Sequence, residues 1–293
     1  MCIRDRVNDT QAALLSRYAL YEQSLWGGLG LFYASKSVER QEWNAYVDAL
    51  QTEKNLPGIN GVGYIEYVLA QDLPEFLERA RADGAPDFKN RPDTFYPDTF
   101  IIKYIEPENI NKEAIGLDIG FEANRRAAAE RARDLGVPAL TKKITLVQDQ
   151  QKTPGFLLLI PHYDIKTIPP SLEERRAHFK GWVYAPFIGE KFLKDLTAVS
   201  KNQLDFEVFD GKDSIHENLI FASKDEYYTD EAGHEEVEAD RDRLSSHTAL
   251  KIAGRKWVMH WYSNDNFNPP SNRNAAILVA AFGAVFSILL YFA

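Results

Sequence analysis

Histidine and cysteine, the residue types that most often bind metals or act as nucleophiles, are scattered along this chain. The histidines form neither an HxH nor an HxxxH pair, and they lie at His162, His178, His216, His234, His247 and His260. The single cysteine, Cys2, leaves the rest of the chain without a thiolate. A lone histidine in an apolar stretch, such as His162, is more often a hydrogen-bonded core residue than a ligand. We therefore expect no metal site and no cofactor.

Motifs for phosphate binding and covalent catalysis are absent from the sequence. It contains no GxxxxGK[ST] phosphate loop and no GxSxG nucleophile turn. GINGVG (58–63) is rich in glycine, but it precedes a predicted strand instead of opening a helix, which favours a turn. The acidic segment 227–242 has no apolar rhythm and is predicted to be a solvated loop. Because no nucleophile, base and oxyanion site come together, we expect no catalytic residues, and the sequence favours a binding module.

The overall composition is that of an acidic globular protein. The 293 residues are 45% hydrophobic and carry a net charge of −9, with no long run of lysine or arginine. Since nucleic-acid backbones are bound by basic faces, this charge argues against nucleic acid as a partner. The apolar fraction is large enough to bury a substantial core.

The first element that must position any site is a long helix, predicted over residues 8–55. Apolar residues recur there at steps of three and four, at Leu14, Leu15, Tyr18, Leu25, Leu29 and Phe32, and the pattern extends to Trp43, Val47 and Leu50. Gly27, Gly28 and Gly30 weaken the helix prediction in its middle. The segment fits a helix packed on a core and a signalling stalk equally well.

Strands and helices then alternate in two groups. In the first group, strands are predicted within 56–68, 99–107, 141–149, 155–164 and 180–189, and helices within 71–84 and 121–138. A helix at 190–200 leads into the second group, whose strands are predicted at 204–211, 218–224 and 247–264. A mixture of strands and helices that occurs twice predicts two α+β domains with antiparallel sheets.

Both ends of the chain have unusual composition. Residues 275–293 carry no charge, and a helix of this length spans roughly 28 Å, close to the thickness of a bilayer core. A buried C-terminal helix would usually keep a polar stripe, so we predict a transmembrane helix in a chain truncated at this end. MCIRDR (1–6) lacks the apolar core of a signal peptide and resembles a non-native prefix.

Five segments, in this order and at this spacing, carry a family resemblance: PGINGVGYIEYV (57–68), residues 104–141, LVQDQQKTPGFLLLIPHY (146–163), RRAHFKGWVYAPF (175–187) and AGRKWVMHW (253–261). Together they resemble the CHASE domain, the extracytoplasmic sensor of plant cytokinin receptors and of many bacterial signalling proteins. No single motif is specific, but the order and spacing of all five are. The resemblance covers roughly residues 57–264.

The resemblance implies an α+β fold in which a long N-terminal helix is followed by two PAS-like domains with antiparallel sheets and then by a C-terminal transmembrane helix. The expected divisions are a prefix (1–6), a stalk helix (7–56), a membrane-distal domain (57–189), a membrane-proximal domain (190–268) and the transmembrane helix (275–293). A first span would then precede residue 7, and a cytoplasmic output domain would follow the second span.

The resemblance also implies a ligand site in the distal domain. The plant receptors hold an adenine-type hormone with a carboxylate and with the backbone of a leucine that precedes a threonine. Aligned through GLD and ALT, these groups fall on Asp118 and Leu140, with Thr141 beside them, and Leu157 and Leu159 would form apolar walls. Such a carboxylate can accept N–H groups of a purine. The alternative for Asp118 is a structural role, in which it caps the following helix.

Four basic residues near this site leave the ligand class open. Arg125 and Arg126 match a family pair, of which one is expected to anchor the helix to an acidic partner and the other to face solvent. Lys142 and Lys143 depart from the plant pattern. A lysine that points into the pocket would favour an anionic ligand, but we expect both to be outward-facing charges at a strand edge.

The resulting hypothesis is an extracytoplasmic small-molecule sensor of a bacterial inner-membrane signalling protein. It would lie outside the cytoplasm up to about residue 272, be anchored by the C-terminal helix and form a homodimer along the N-terminal helix. Binding of an adenine-like or other metabolite would be passed to a histidine kinase or a diguanylate cyclase. The alternatives are a ligand-free partner-binding or structural ectodomain and a cell-envelope hydrolase.

Overall fold

The computed structural model describes residues 3–92, 96–147, 149, 151–224, 244–267 and 282. The chain begins with helix α1 (Ile3–Ala34), which carries one buried apolar face. That face is formed by residues at steps of four and seven, namely Val7, Leu14, Tyr21, Leu25 and Leu29. This periodicity places them in one stripe of the helix, and α1 contacts strands of both sheets described below.

The long helix predicted over residues 8–55 is broken into three. Helix α2 (Arg40–Leu50) follows a turn, and the short α3 (Thr52–Asn55) follows Gln51. The break is local in origin, because Glu39 has an extended backbone and forms a reciprocal capping box with Glu42 that starts a new helix. Gln51 then adopts a left-handed conformation with φ of 50°, which ends α2.

The first sheet is antiparallel, with strand order β2-β1-β6-β5-β3, and β4 also pairs with β5. Its strands are β1 (Val62–Leu69), β2 (Asp98–Glu106), β3 (Ala139–Leu140), β4 (Ile144–Thr145), β5 (Pro154–Tyr163) and β6 (Phe179–Ile188). Both faces of the sheet are covered. In β5, Phe156 and Leu158 face α1, whereas Leu157 and Leu159 face the opposite core, which explains the uninterrupted apolar run of this strand.

Helix α6 (Ala123–Leu135) covers the second face of this sheet. Its start is capped by the Glu122 carboxylate, which accepts hydrogen bonds from the backbone N–H groups of Asn124 and Arg125. It ends at Gly136, whose φ of 68° is the left-handed conformation that glycine favours. The indole N–H of Trp182 in β6 donates to the carbonyl of Ala129 at 3.0 Å and so fixes α6 on the sheet. The smaller helices α4 (Leu73–Ala82), α5 (Glu108–Asn111) and α7 (Leu172–Ala177) lie in the connections between strands.

The second sheet is antiparallel, with order β8-β7-β10-β9. It follows helix α8 (Gly189–Leu193) and a 3-10 segment (Lys194–Ser200), and its strands are β7 (Leu204–Asp210), β8 (Leu219–Ala222), β9 (Ser245–Ile252) and β10 (Arg255–Ser263). The single strand predicted at 247–264 is therefore a hairpin. Ala253 and Gly254 both have positive φ, 42° and 79°, as a two-residue hairpin turn requires.

The predicted fold class is confirmed in its α+β character, its N-terminal helix and its two antiparallel sheets, but it is wrong in ending with a transmembrane helix. Among the described residues, no helix combines the length and the apolar character needed to cross a bilayer. The longest described helix, α1, carries Arg6, Asp9 and Arg17, and such charges are costly in hydrocarbon. The predicted span 275–293, apart from Phe282, and the acidic loop 227–242 lie outside the described residues.

Candidate ligand-binding site

The Asp118 carboxylate lies fully buried behind the first sheet. Its Oδ1 accepts hydrogen bonds from the backbone N–H groups of Phe100 and Gly120, each at 2.8 Å. Through these bonds it caps the short 3-10 turn Ile119–Phe121 and ties that turn to β2. This is the geometry of the structural alternative stated above, and the assignment of Asp118 to a ligand stays a prediction.

The backbone of Leu140 contacts the second sheet. Its N–H donates to the carbonyl of Ala253 at 3.0 Å, and its carbonyl accepts from Nη2 of Arg131 at 2.7 Å. The neighbouring Thr141 pairs with Leu157, whose N–H donates to Oγ1 of Thr141 at 3.0 Å. The backbone groups that the resemblance assigns to a ligand therefore join β3 to the β9–β10 turn through the N–H and to α6 through the carbonyl.

Of the five predicted site residues, four are neighbours in the sheet and one lies apart. Leu140, however, packs in the core on the α1 face, whereas Leu157 and Leu159 pack in the opposite core. Leu140, Thr141, Leu157 and Leu159 are all on β3, β5 or the residue after β3, since Ala139 pairs with Leu159 and Leu140 with Leu158. Asp118 lies between Leu117 and Ile119, which line the far side of a small cavity to which Leu157 contributes from the sheet. Whether these residues contact a ligand stays a prediction.

This cavity, which we call the distal cavity, lies between the first sheet and the segments that cover it. The sheet contributes Ile102, Leu157 and Tyr184, and the cover contributes Leu117, Ile119, Leu146 and Arg125, among others. The cavity has a volume of about 10 Å³. This is close to the smallest cavity that can hold one water molecule.

Two buried polar atoms belong to residues that line the distal cavity. Neither the Tyr184 hydroxyl nor Nε of Arg125 has a hydrogen-bond partner among the residues that the structure describes. Tyr184 is 1% exposed and Arg125 is 7% exposed. Burial raises the pKa of the Tyr184 hydroxyl well above its usual value, although nearby Arg125 opposes this shift. Burial lowers the pKa of the Arg125 guanidinium, because it disfavours the charged form.

Local packing explains how Tyr184 and Arg125 reach this position. Tyr184 lies opposite Gly63 in the sheet, and a Cβ on Gly63 would be 2.6 Å from the tyrosine ring. Arg125 lies in the first turn of α6, where its Nη2 donates to the carbonyl of Thr145 at 2.8 Å. Its Nε is 3.9 Å from the Glu122 carboxylate, which is beyond hydrogen-bonding distance.

The two arginines differ from the expected division into an anchor and a solvent-facing residue. Arg126 is an anchor, since its Nη1 is 2.9 Å from the Asp98 carboxylate in β2. Arg125, however, is buried. Sequence reasoning did not single out Tyr184, although the alternation in β6 placed it on the same face as Trp182. Neither side chain could be assigned to a cavity without the packing of α6 on the sheet.

Arg125 also lines an open cleft. It has a volume of about 540 Å³ and is lined by Glu122, Asn124, Arg125, Lys143, Ile144, Thr145, Lys152 and Pro154. Lys142 is exposed, whereas Lys143 is half-buried and extends between the two sheets. Its backbone N–H donates to Asp210 at 2.9 Å, and its Nζ donates to the carbonyls of Glu217 and Leu219. Lys143 therefore lines the cleft and also holds the two sheets together through its hydrogen bonds.

The described residues contain no group of three or more histidine, cysteine, aspartate or glutamate side chains that could hold a metal. One arrangement does resemble part of a hydrolase site, because the Ser214 hydroxyl is 2.8 Å from Nε2 of His260. Nδ1 of His260, however, is 3.8 Å from Glu207, too far for the hydrogen bond that would orient a catalytic histidine. The Glu207 carboxylate accepts instead from Tyr262 at 3.3 Å.

The family model for the CHASE domain matches residues 36–221. The match begins after α1 and includes the whole first sheet together with β7 and most of β8. It therefore contains the distal cavity, the open cleft and all five predicted site residues. The chain matches no curated protein.

Proposed function

Since the chain belongs to the CHASE domain family, whose members are extracytoplasmic sensor modules of signalling receptors and not catalytic domains, we propose that it binds a small molecule in the distal cavity. In this proposal, the bound state is passed to an output enzyme, either a histidine kinase or a diguanylate cyclase. The module would lie on the outer side of a bacterial inner membrane.

The observation that carries the proposal is the pair of buried donors at the distal cavity. Nearly all buried polar groups in native proteins have a hydrogen-bond partner. The Tyr184 hydroxyl and Nε of Arg125 have none among the described residues, and both residues line one cavity. A ligand that accepts hydrogen bonds from both would remove a desolvation penalty of about 1–3 kcal/mol for each group.

Because the cavity volume is small, a ligand could enter only with a change of shape. At about 10 Å³, the distal cavity is too small for a metabolite until its walls move apart. A ligand would therefore favour a more open arrangement of α6 and the sheet. It shifts this equilibrium only by the difference between its affinities for the two arrangements.

A direct connection runs from the cavity to the second sheet. Leu157 lines the cavity and is hydrogen-bonded to Thr141, and the preceding Leu140 donates to Ala253 in the β9–β10 turn. Movement of β5 would thus be passed through β3 to the hairpin. In this proposal Leu140, Thr141 and Leu159 support the site and transmit its state, while Leu157 contacts the ligand.

Thermal unfolding of the chain with and without small molecules tests the proposal. Purines, amino acids and carboxylates form the panel. A compound at a hundredfold excess over its dissociation constant should stabilise the protein by about 2.7 kcal/mol. Tyr184→Phe should reduce that gain, whereas Tyr262→Phe, which removes a hydroxyl from the second sheet, should leave it unchanged. If no compound stabilises the protein, the ligand-free ectodomain becomes the better hypothesis.

We also propose that two copies associate along α1. Leu15 and Leu20 are 40% and 45% exposed on this helix, away from its buried face. Sedimentation of the chain at tens of micromolar should show a dimer, and Leu15→Glu combined with Leu20→Glu should give a monomer. A monomeric wild-type protein would contradict this part of the proposal.

A further inference from the structure

We propose that the distal cavity takes the carboxylate of a small monocarboxylic acid with an apolar body, held by Arg125 and Tyr184. This inference rests on the proposed sensor function, because it names the ligand class of the same cavity. It is independent of the purine contacts that the family resemblance places at Asp118 and Leu140.

The number and type of the available donors match a carboxylate. Nε–H of Arg125 and the Tyr184 hydroxyl are two buried donors without partners among the described residues. A carboxylate offers two oxygens that act only as acceptors, so each donor can be satisfied. A hydrogen bond from a guanidinium to a carboxylate is also shorter and stronger than one between neutral groups.

The charge of Arg125 points to an anion rather than a neutral acceptor. Its side chain is 8% exposed, and the nearest carboxylate, that of Glu122, lies 3.9 Å from Nε. The Glu122 oxygens are already used as acceptors by the backbone at the start of α6. A buried guanidinium without a well-formed ion pair carries a large desolvation cost, which a ligand carboxylate would offset.

The walls of the cavity define the rest of the ligand. Apart from Arg125 and Tyr184, its lining includes Ile102, Leu117 and Leu157, which present hydrocarbon. Once these walls move apart, they would present hydrocarbon to an apolar chain or ring, whereas a phosphate has more oxygens and more charge than two donors can satisfy.

The open cleft provides a route for an anion. Arg125 lines both the cleft and the distal cavity, and the cleft also carries Lys143 and Lys152. One carboxylate, Glu122, lies within this cleft lining, while Asp210 and Glu217 act on Lys143 from outside it. The Lys152 side chain in the cleft lining would attract an acid from solvent towards Arg125.

Isothermal titration of the chain with paired acids and amides tests the inference. The probes are benzoate, phenylacetate and hexanoate, each compared with its own primary amide, and adenine serves as a purine probe. At least one acid should bind about tenfold or more tightly than its amide, since the amide lacks the charge that pairs with Arg125.

Two variants locate the binding. Arg125→Gln should abolish the preference for acid over amide, whereas Arg176→Gln, the same change at an exposed arginine bonded to Asp134, should preserve it. Tyr184→Phe, which removes one hydroxyl, should weaken acid binding by about tenfold. Thermal melting checks that each variant is folded, and if Arg125→Gln is not, the loss of acid affinity in Tyr184→Phe decides.

The outcomes separate the two proposals. If adenine or the amides bind and the acids bind no better, the carboxylate inference fails while the sensor function stands. Acid binding that neither variant changes would reject the distal cavity as the site of the carboxylate. If acids, amides and adenine all fail to bind the folded protein, the inference is overturned together with its premise. One ordered water that accepts from both donors would then explain why they have no protein partner.

Discussion

Asp118, which is buried, and His162, which is half-buried, are titratable residues that the sequence left with two possible roles each. In both cases the hydrogen bonds describe a structural role. The Asp118 carboxylate holds the backbone of Phe100 and Gly120. His162 lies beneath α1, where its Nδ1 is 2.9 Å from the Tyr64 hydroxyl. At the residue scale, the change in the free energy of unfolding when each group is removed distinguishes a structural role from ligand binding.

Asp118→Ala should destabilise the protein by about 3 kcal/mol, because two buried backbone N–H groups lose their acceptor. Asp118→Asn keeps an oxygen at the same position and should cost clearly less. Urea denaturation of both variants measures the difference. An alanine variant as stable as the wild type would show that the carboxylate is not needed for folding and would favour the ligand-binding assignment.

Stability should fall between pH 7 and pH 5 through His162. Burial, with a smaller effect of Lys180, lowers the pKa of His162 to about 4. Since the unfolded chain then binds a proton near pH 6.5 that the folded protein does not, stability is fully present above pH 6.5. It is lost as the pH falls towards 4, by about 2 kcal/mol at pH 5.

Denaturation midpoints at the two pH values, compared between the wild type and His162→Asn, measure this contribution. The variant should be less stable at pH 7, and its loss on going to pH 5 should be smaller by about 2 kcal/mol. Equal pH dependence in the His162 variant would contradict the role of burial.

At the scale of elements, the close contact of α1 and α2 depends on glycine. A Cβ on Gly28 would lie 2.9 Å from the ring of Trp43 in α2, whereas a Cβ on Gly30 would have no atom within 4 Å. Trp43 is fully buried, and its indole N–H donates to the carbonyl of Val62 at 3.0 Å. The ring therefore cannot easily move, and Gly28 allows the two helices to approach.

These glycines form a matched pair for mutation. Gly30→Ala should stabilise the protein by about 0.5–1 kcal/mol, since alanine is the better helix former at an open position. Gly28→Ala should destabilise it by about 1–2 kcal/mol, because the clash with Trp43 outweighs the same propensity gain. Thermal denaturation measures both, and a stabilising Gly28→Ala would show that α2 can shift without cost.

For the whole molecule, Asp210 is one of the residues that join the two sheets. Its Oδ2 accepts from the backbone N–H of Lys143 at 2.9 Å, and its Oδ1 accepts from Nε and Nη2 of Arg255 at 2.9 and 2.7 Å. It is 6% exposed, so these hydrogen bonds are shielded from water. Together with the bond between Leu140 and Ala253, they make the edge of the first sheet and the β9–β10 turn one continuous structure.

Asp210→Ala should therefore loosen both sheets at their junction. We expect a loss of about 3 kcal/mol, because the Arg255 guanidinium and the Lys143 N–H lose their acceptor. Hydrogen exchange should increase together in residues 139–145 and 252–256. Asp205→Ala, at a buried aspartate elsewhere in β7, is the control and should leave exchange in residues 139–145 unchanged. An increase confined to the second sheet would contradict the coupling between sheets.

The sequence by itself determined the element types, because the signals for them are local. Alternation and uninterrupted apolar runs placed the main strands, and Gly136 ended α6 where a left-handed residue is required. Ala253-Gly254 is also a local hairpin signal, which was missed because one continuous strand was predicted over 247–264. The family resemblance rested likewise on the order of local segments.

Only the tertiary structure decided which side chains meet. Arg125 and Tyr184 are 59 positions apart in the sequence, and they line one cavity only because α6 packs across the sheet. Leu140 was predicted to hold a ligand through its backbone and Lys143 to lie at a strand edge, yet their N–H groups donate to Ala253 and Asp210 of the second sheet. Such contacts depend on how distant elements pack, and neither periodicity nor spacing along the chain carries that information.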